Sequence, residues 1–368
     1  MTNIIMEIKK IKIENWRNYS VLELNFNKIT VLFGKNTSGK TNILEAINFL
    51  TNSRSFRTKE ENTIKWKNNY SRVFGVIKKD DKIDEILIVL EKQERILKTV
   101  KINEQKTASS KLLKTFNCIL FTPEEIELIY TMPEARRRSI NLIISQLDIY
   151  YAHNLIYFNK ALKQRNNLLK RVSENLAKRE ELDVWDNKLS GYAVFIINWR
   201  NKYIENINTK INNYYKLLSG DNHLLKIKYI PSINTNNLAG VLNILKENRN
   251  RDILTRVTTN GPHRDDFEFI LDGRNVTTFA SRGEFRTIIL ALKLSEVDYF
   301  FEHTGEKPIL LLDDVFSELD IKRRDLLSQL FLNQQTIITT TDMEHISQNI
   351  LDKADIINID KLKNKDDL

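Results

Sequence analysis

The sequence predicts an α/β fold interrupted by a helical insertion, and three observations carry that expectation. Short β-like runs at Ile29–Phe33 and at residues 86–90 alternate with polar turns up to about Asn117, with one helix after a glycine-rich segment. From Pro133 the hydrophobic period becomes helical. Near Gly261 the chain returns to strand and helix, with a helix from about Gly283, an apolar run at residues 308–312 and a last strand at Thr336–Thr340. The outer stretches share one kind of structure, so residues 1–117 and 261–368 are expected to build one domain, with residues 118–260 inserted between its halves. A length of 368 residues agrees with about two domains at roughly 150 residues each.

Proline is tolerated in a first helical turn and Glu134 complements the positive end of a helix dipole, so Pro133 marks a helix start. Beyond it Leu155, Phe158, Leu162, Leu169, Val172 and Leu176 recur at helical steps, and Trp185, Leu189, Tyr192, Ile196, Trp199, Tyr203 and Ile207 form a second series. Two antiparallel helices are expected, a short coiled-coil arm with its turn at residues 177–181. Arg165 interrupts the first stripe. A packed hairpin without chemistry is the plain reading of such stripes, and the many Lys and Arg leave a DNA-contacting face as the alternative.

Apolar residues make up 41% of the chain and charged residues 29%, which excludes global disorder. The longest apolar stretches, such as residues 192–199, fall far short of the roughly 18 residues a spanning helix needs. No charged, then apolar leader follows Met1, so a cytoplasmic location away from membranes is expected. The single cysteine, Cys118, lies in an apolar run and reads as a buried structural thiol. A formal charge of +9 suits a polyanion partner, because Lys and Arg that neutralise phosphates release condensed counterions.

The string Gly34-Lys35-Asn36-Thr37-Ser38-Gly39-Lys40-Thr41 matches GxxxxGK[ST] between a strand and a helix-like segment at residues 42–50. Glycines let backbone N–H groups converge on phosphate oxygens at a helix start, Lys40 reaches the β- and γ-phosphates, and the Thr41 hydroxyl ligates magnesium. The apolar run ends in Asp313 and Asp314. Asp313 is expected to hold magnesium, and Asp314 to activate the attacking water. Asn364-Lys365-Asp366-Asp367 mimics a guanine-reading motif but lacks an apolar strand before it.

Between these motifs, Ser281-Arg282-Gly283-Glu284-Phe285-Arg286 opens a helix, where its hydroxyl and backbone N–H groups can bind a γ-phosphate. After the acidic strand come Ser317-Glu318-Leu319-Asp320. This order resembles ABC-type ATPases, whose signature and D-loop it matches. The resemblance implies an ABC/SMC-like P-loop ATPase head with the helical arm inserted, binding ATP and Mg2+ in a head-to-tail dimer that sandwiches two ATPs. Asp314 stands where that class carries glutamate, which implies slow turnover because the shorter side chain reaches less far.

Further motifs narrow the resemblance. Asn15-Trp16-Arg17-Asn18-Tyr19, Gly39-Lys40-Thr41-Asn42-Ile43-Leu44-Glu45-Ala46, Ser55-Phe56-Arg57, Phe121-Thr122-Pro123-Glu124, Arg136-Arg137-Arg138, Gln164-Arg165-Asn166, Gly261-Pro262-His263-Arg264-Asp265-Asp266 and the acidic strand occur in order. Together they are similar to the bacterial RecF family. That resemblance implies an ATP-dependent DNA-binding dimer for double-stranded, single-stranded, gapped or junction DNA that works with RecR and RecO, promotes RecA loading, and supports repair, replication restart and the SOS response. Arg57 then matches an arginine linking the nucleotide site to DNA or to the opposite protomer, though a plain surface arginine fits as well. Thr37, Thr131 and Asn141 depart from the family pattern, and no Q-loop glutamine or switch histidine stands out. His263 reads as a satisfied turn histidine.

Two functional readings remain open at this point. One is a weak, DNA-stimulated ATPase whose nucleotide state controls dimerisation and DNA grip; the other is a DNA-binding scaffold in which ATP is structural. A nuclease or small-molecule kinase would need a further carboxylate cluster or acceptor pocket that the sequence lacks.

Overall fold

A computed structural model describes residues 4–130 and 132–362. Its first strands and helices are β1 (Ile4–Trp16), β2 (Tyr19–Asn25), β3 (Ile29–Phe33), α1 (Lys40–Asn52), β4 (Tyr70–Lys79), β5 (Lys82–Lys92), β6 (Ile96–Ile102), β7 (Gln105–Thr107), α2 (Leu112–Thr115) and β8 (Cys118–Phe121). The middle of the chain forms α3 (Glu127–Tyr130), α4 (Pro133–Leu147), α5 (Ile149–Ser173), α6 (Leu182–Ser219), β9 (Leu225–Ile230), α7 (Leu238–Glu247), α8 (Arg249–Thr255), β10 (Asp266–Leu271), β11 (Arg274–Asn275) and α9 (Arg282–Thr304). The last part forms β12 (Glu306–Lys307), β13 (Ile309–Asp313), α10 (Ile321–Phe331), β14 (Thr336–Thr340), α11 (Gln348–Leu351) and β15 (Asp355–Asn358). The chain folds into two compact units, residues 1–125 with 296–368, and residues 126–295.

In the first unit, β15-β3-β14-β13-β8 form a parallel sheet. Covered parallel strands read as unbroken apolar runs, and β13 and β14 are buried at every position. Because the strands are parallel, their C-terminal ends share one edge, and there β3 delivers the glycine-rich loop, β13 delivers Asp313 and β14 delivers Thr339. A mostly antiparallel sheet built on β1, β4, β5 and β6 shares a core with α1, where the Trp16 and Phe49 rings lie 5.0 Å apart.

Two expectations shift here. Thr336–Thr340 is not the last strand, because β15 pairs in parallel with β3, Asn358 opposite Phe33. This short, partly exposed edge strand has too few residues for a period. Cys118 is buried, its thiol pushed up to about 12 by desolvation, but it lies on β8, which pairs with β13. The units accordingly divide at 125/126 and 295/296, where the hydrophobic period had suggested 117/118 and 260/261. Asn364 to Asp367 lie outside the described residues, as does Thr131.

In the second unit, α4 starts on Pro133 and α5 starts on Asp148, whose side chain accepts from the Tyr151 N–H at 2.7 Å. Helices α5 and α6 pack as the expected antiparallel pair. Phe158, Leu169, Leu189, Ile196, Tyr203 and Ile207 are buried along the seam. Leu176 is not part of it: α5 stops at Ser173, Asn175 turns with φ 59°, and Leu176 is 65% exposed. A small sheet, β11-β10-β9, completes the unit.

Arg165, the break in the stripe, is fully buried and ion-paired. Its Nε donates to Asp186 Oδ1 at 2.6 Å, and its Nη1 to Asp252 Oδ2 at 2.6 Å and Thr258 Oγ1 at 2.8 Å. A second buried centre forms on Asp265, which accepts from Arg200 Nη1 at 2.8 Å and the Ser232 N–H at 2.8 Å. Arg137 donates to the Asp265 carbonyl at 2.6 Å, and Arg136 grips Asp266 through two bonds of 2.7 and 2.9 Å. Asn141, the departure in that segment, accepts from Tyr151 at 2.6 Å and Arg200 at 3.1 Å. His263 contacts the Thr258 carbonyl through Nε2 at 3.0 Å, while its buried Nδ1 has no partner among the described residues. Burial pulls its pKa down to about 4, so the ring is neutral.

Removing one member of a buried ion pair leaves the other charge unsolvated, at a cost of about 3–5 kcal/mol. Arg165→Ala is therefore expected to lower the unfolding free energy measured by urea titration by that amount, whereas Lys163→Ala, on the exposed side of the same helix, leaves it unchanged.

Candidate nucleotide site

The loop from Gly34 to Thr41 joins β3 to α1 and is braced from below by the segment after β1. Tyr19 Oη donates to the Ser38 carbonyl at 3.1 Å, and Asn42 Nδ2 reaches Asn18 Oδ1 at 2.8 Å. Gly39, at φ 98°, fits only without a side chain, since a Cβ there would lie 2.6 Å from Tyr19 Oη and 2.7 Å from Asn18 Nδ2. Thr37 also has positive φ, 68°, so this departure from glycine carries left-handed backbone strain of about 1–2 kcal/mol.

Lys40 is buried and curls into the loop, donating to the carbonyls of Gly34 at 2.7 Å and Lys35 at 2.8 Å. Desolvation lowers its pKa, opposed by Asp314, Asp313 and Asp360. Thr41 Oγ1 lies 3.0 Å from Asp313 Oδ1, which also accepts from Thr339 Oγ1 at 2.6 Å. Burial raises the Asp313 pKa; the two hydroxyls lower it, and Glu124 and Asp314 raise it further.

Asp314 adopts φ 50°, and its N–H is held by Thr339 at 3.2 Å to the carbonyl and 3.0 Å to the hydroxyl. Its Oδ1 is buried without a hydrogen-bond partner among the described residues, and so is the Ser38 hydroxyl. Orphaned polar atoms beside a phosphate-shaped cradle fit a triphosphate with its attacking water, and the Thr41–Asp313 oxygen pair fits magnesium, which keeps several waters of its own.

Arg57 is exposed and reaches Asn42 Oδ1 at 3.2 Å through Nη1. Its turn is held by buried Glu45, which accepts from Arg17 Nε at 2.7 Å and Ser55 Oγ at 2.5 Å. Asp320 caps α10, accepting from the Arg323 N–H at 3.0 Å. In the second unit, Ser281 caps α9 reciprocally with Glu284: the Ser281 N–H donates to Glu284 Oε2 at 2.7 Å, and the Glu284 N–H reaches Ser281 Oγ at 3.3 Å. Ser281, Arg282 and Gly283 are exposed, and only Ser281 Oγ, at 3.9 Å, lies within 4 Å of where a Gly283 side chain would begin.

The sequence reading missed Thr339 as the second brace on Asp313, and it missed Asp360, whose Oδ2 accepts from the Lys35 N–H at 2.9 Å. Thr339 falls in a run of three threonines without pattern, and Asp360 reaches the loop only because β15 lies beside β3. His345, which follows the Thr336–Thr340 strand too late for a switch histidine, sits in the turn Met343–His345. Among the described residues no helix is long and apolar enough to cross a membrane.

A parallel sheet that gathers a P-loop, an acidic strand end and a following threonine at one edge defines a P-loop ATPase head of the ABC/SMC type. The sequence profile of the RecF/RecN/SMC N terminal domain matches residues 7–364. The DNA replication and repair protein RecF of Lachnoclostridium phytofermentans is 38% identical over 94% of this chain and 95% of its own, and that of Clostridium novyi 36% over 96% and 98%. A solved structure of the recombination mediator RecF with ATP aligns over 93% of this chain and 94% of its own, at TM-score 0.88 and 33% identity. A Pyrococcus furiosus Smc head, 17% identical at TM-score 0.53 over 96% of this chain and 93% of its own, shares the fold. The chain belongs to the RecF family of DNA replication and repair proteins.

Two substitutions test the cradle. Gly39→Ala forces the loop off Tyr19 and Asn18 and is expected to weaken ATP binding more than tenfold in a fluorescent-nucleotide titration. Thr37→Gly relieves about 1–2 kcal/mol of strain against roughly 0.5–1 kcal/mol of added unfolded-chain entropy, so the thermal midpoint is expected to rise by about 1–3 °C.

Proposed function

We propose that this protein is an ATP-gated DNA clamp of recombinational repair and replication restart. ATP drives head-to-tail dimerisation, the dimer holds gapped or junction DNA, and slow, DNA-stimulated hydrolysis releases it. It would act in the cytoplasm, cooperating with RecO and RecR in RecA loading and in the SOS response. The observation that carries the reading is Asp314, a half-buried carboxylate whose Oδ1 is buried without a partner among the described residues, beside the Thr41–Asp313 pair, in a chain of the RecF family. A structural ATP site has no use for an unsatisfied base.

Within the site, the loop N–H groups and Lys40 bind and orient the phosphates, Thr41 and Asp313 would hold Mg2+, and Asp314 takes a proton from water. Magnesium supplies neutralisation of charge on the phosphate oxygens. The exposed Ser281–Gly283 helix start, where nothing among the described residues requires a glycine, suits a γ-phosphate presented by a second copy. Arg57 and Asp320 are proposed to face that copy or the DNA.

Sedimentation with ATP and magnesium is expected to shift the protein from monomer to dimer, and Ser281→Arg to abolish the shift while nucleotide still binds. Asp314→Asn is expected to cut turnover at least a hundredfold and to leave a long-lived ATP dimer on DNA. Unchanged dimer lifetime in this variant would support the scaffold reading instead.

A further inference from the structure

The α5–α6 arm carries a side face that seam packing does not explain. On α6, Lys188 lies 5.0 Å from the Trp185 ring centre, and two heptads further on Lys202 lies 5.1 Å from that of Trp199. Midway between them Tyr192 stacks on Tyr157 of α5, centroids 5.9 Å apart, and Lys160 sits 5.8 Å from the Tyr157 ring centre. The three lysines are exposed; Trp185, Tyr192 and Trp199 are partly so. One heptad before Tyr157, Tyr150 is 69% exposed, and Tyr157 itself 49%. Buried stripes do not display rings to water, and a solvated face does not need them.

Charge along the two helices is one-sided, with Glu174, Glu180 and Glu181 confined to the turn at the tip. Helix α5 has no Asp or Glu from end to end. The carboxylates of α6 are Asp183 and Asp186, both paired with Arg249, and Glu205. An ammonium held against an indole or phenol ring is pre-oriented as a phosphate ligand, and it keeps its charge in the absence of a carboxylate. Lys188 and Lys202 are about 21 Å apart along the helix, with Lys160 between them, which makes a track rather than a point site.

We propose that this face binds single-stranded nucleic acid, with Lys160, Lys188 and Lys202 following the backbone and Tyr150 and Tyr157 stacking on bases. Exposed phenol rings favour unpaired bases, since a duplex hides its base faces. The proposal rests on the reading of the protein as DNA-binding and adds a second contact surface, separate from nucleotide-gated dimerisation.

The test uses the full-length protein with a labelled oligo(dT) and a duplex of equal length. Lys160→Gln/Lys188→Gln/Lys202→Gln is expected to weaken oligo(dT) binding at least tenfold and to flatten its log K against log [salt] slope by about two. ATP binding and the ATP-driven mass shift stay as in the wild type. Tyr150→Ala/Tyr157→Ala is expected to lower oligo(dT) affinity about fivefold or more while sparing the duplex. If both variants bind oligo(dT) like the wild type, the arm surface is refuted and the clamp stands. If the wild type binds neither probe, the clamp reading falls with it. Equal losses on oligo(dT) and duplex for the tyrosine variant would overturn the single-strand assignment.

Discussion

A carboxylate buried at the end of a parallel strand must be held by something, and here Asp313 is held by two hydroxyls from different elements. Thr41 lies in the first turn of the helix after the phosphate loop, and Thr339 is the penultimate residue of the neighbouring strand. This meeting fixes the rest of the site. It sets the distance between the loop and the acidic strand, and through the Thr339 contacts to the Asp314 N–H it also places the candidate base. The arrangement requires β14 to lie between β3 and β13, which is the observed strand order. Asp314 and Glu124 add negative potential around Asp313, opposed by the Thr339 and Thr41 hydroxyls, so the edge of the sheet is poised to gain when a divalent cation arrives.

The second unit solves a different problem with similar chemistry. Its buried arginines, Arg165 and Arg200, each bridge carboxylates or carbonyls from separate segments, and they do so where apolar packing alone would allow the helices to slide. Buried ion pairs contribute little net stability over a well-packed apolar core, but they penalise every register except the one that pairs them. The motif residues Arg136, Arg137, Arg165, Asn166, His263, Asp265 and Asp266 all belong to these centres. Their hydrogen bonds and ion pairs tie separate helices and strands of the unit together.

Much of this was legible in the sequence, for identifiable reasons. Ile29–Phe33, Thr336–Thr340 and the helix start at Pro133 are strong local signals, and the structure places them at those residues. The loop, Asp313 and Asp314 could be read because each is contiguous with an element that announces itself. What escaped was long-range. Asp360 meets Lys35 across most of the chain, β15 is too short and exposed to show a period, and Arg165 read as an interruption because its partners, Asp186 and Asp252, lie on other helices. Leu176 misled in the other direction, since the stripe ran past the residue where the backbone turns.

Net charge gains meaning only after such sorting. The formal +9 of the chain counts Arg165 and Arg200, which are buried in the second unit and ion-paired there with carboxylates. Arg136 and Arg249 are likewise held by carboxylates. Cations that remain exposed, with aromatic rather than acidic neighbours, are a smaller and more specific set, and Lys160, Lys188 and Lys202 are among them. Ring contact shields an ammonium little from water yet restricts where it points, so less side-chain freedom is lost when phosphate is bound. On the arm the guanidinium groups of Arg165 and Arg200, with their planar fork, organise the interior, while Lys160, Lys188 and Lys202 face solvent.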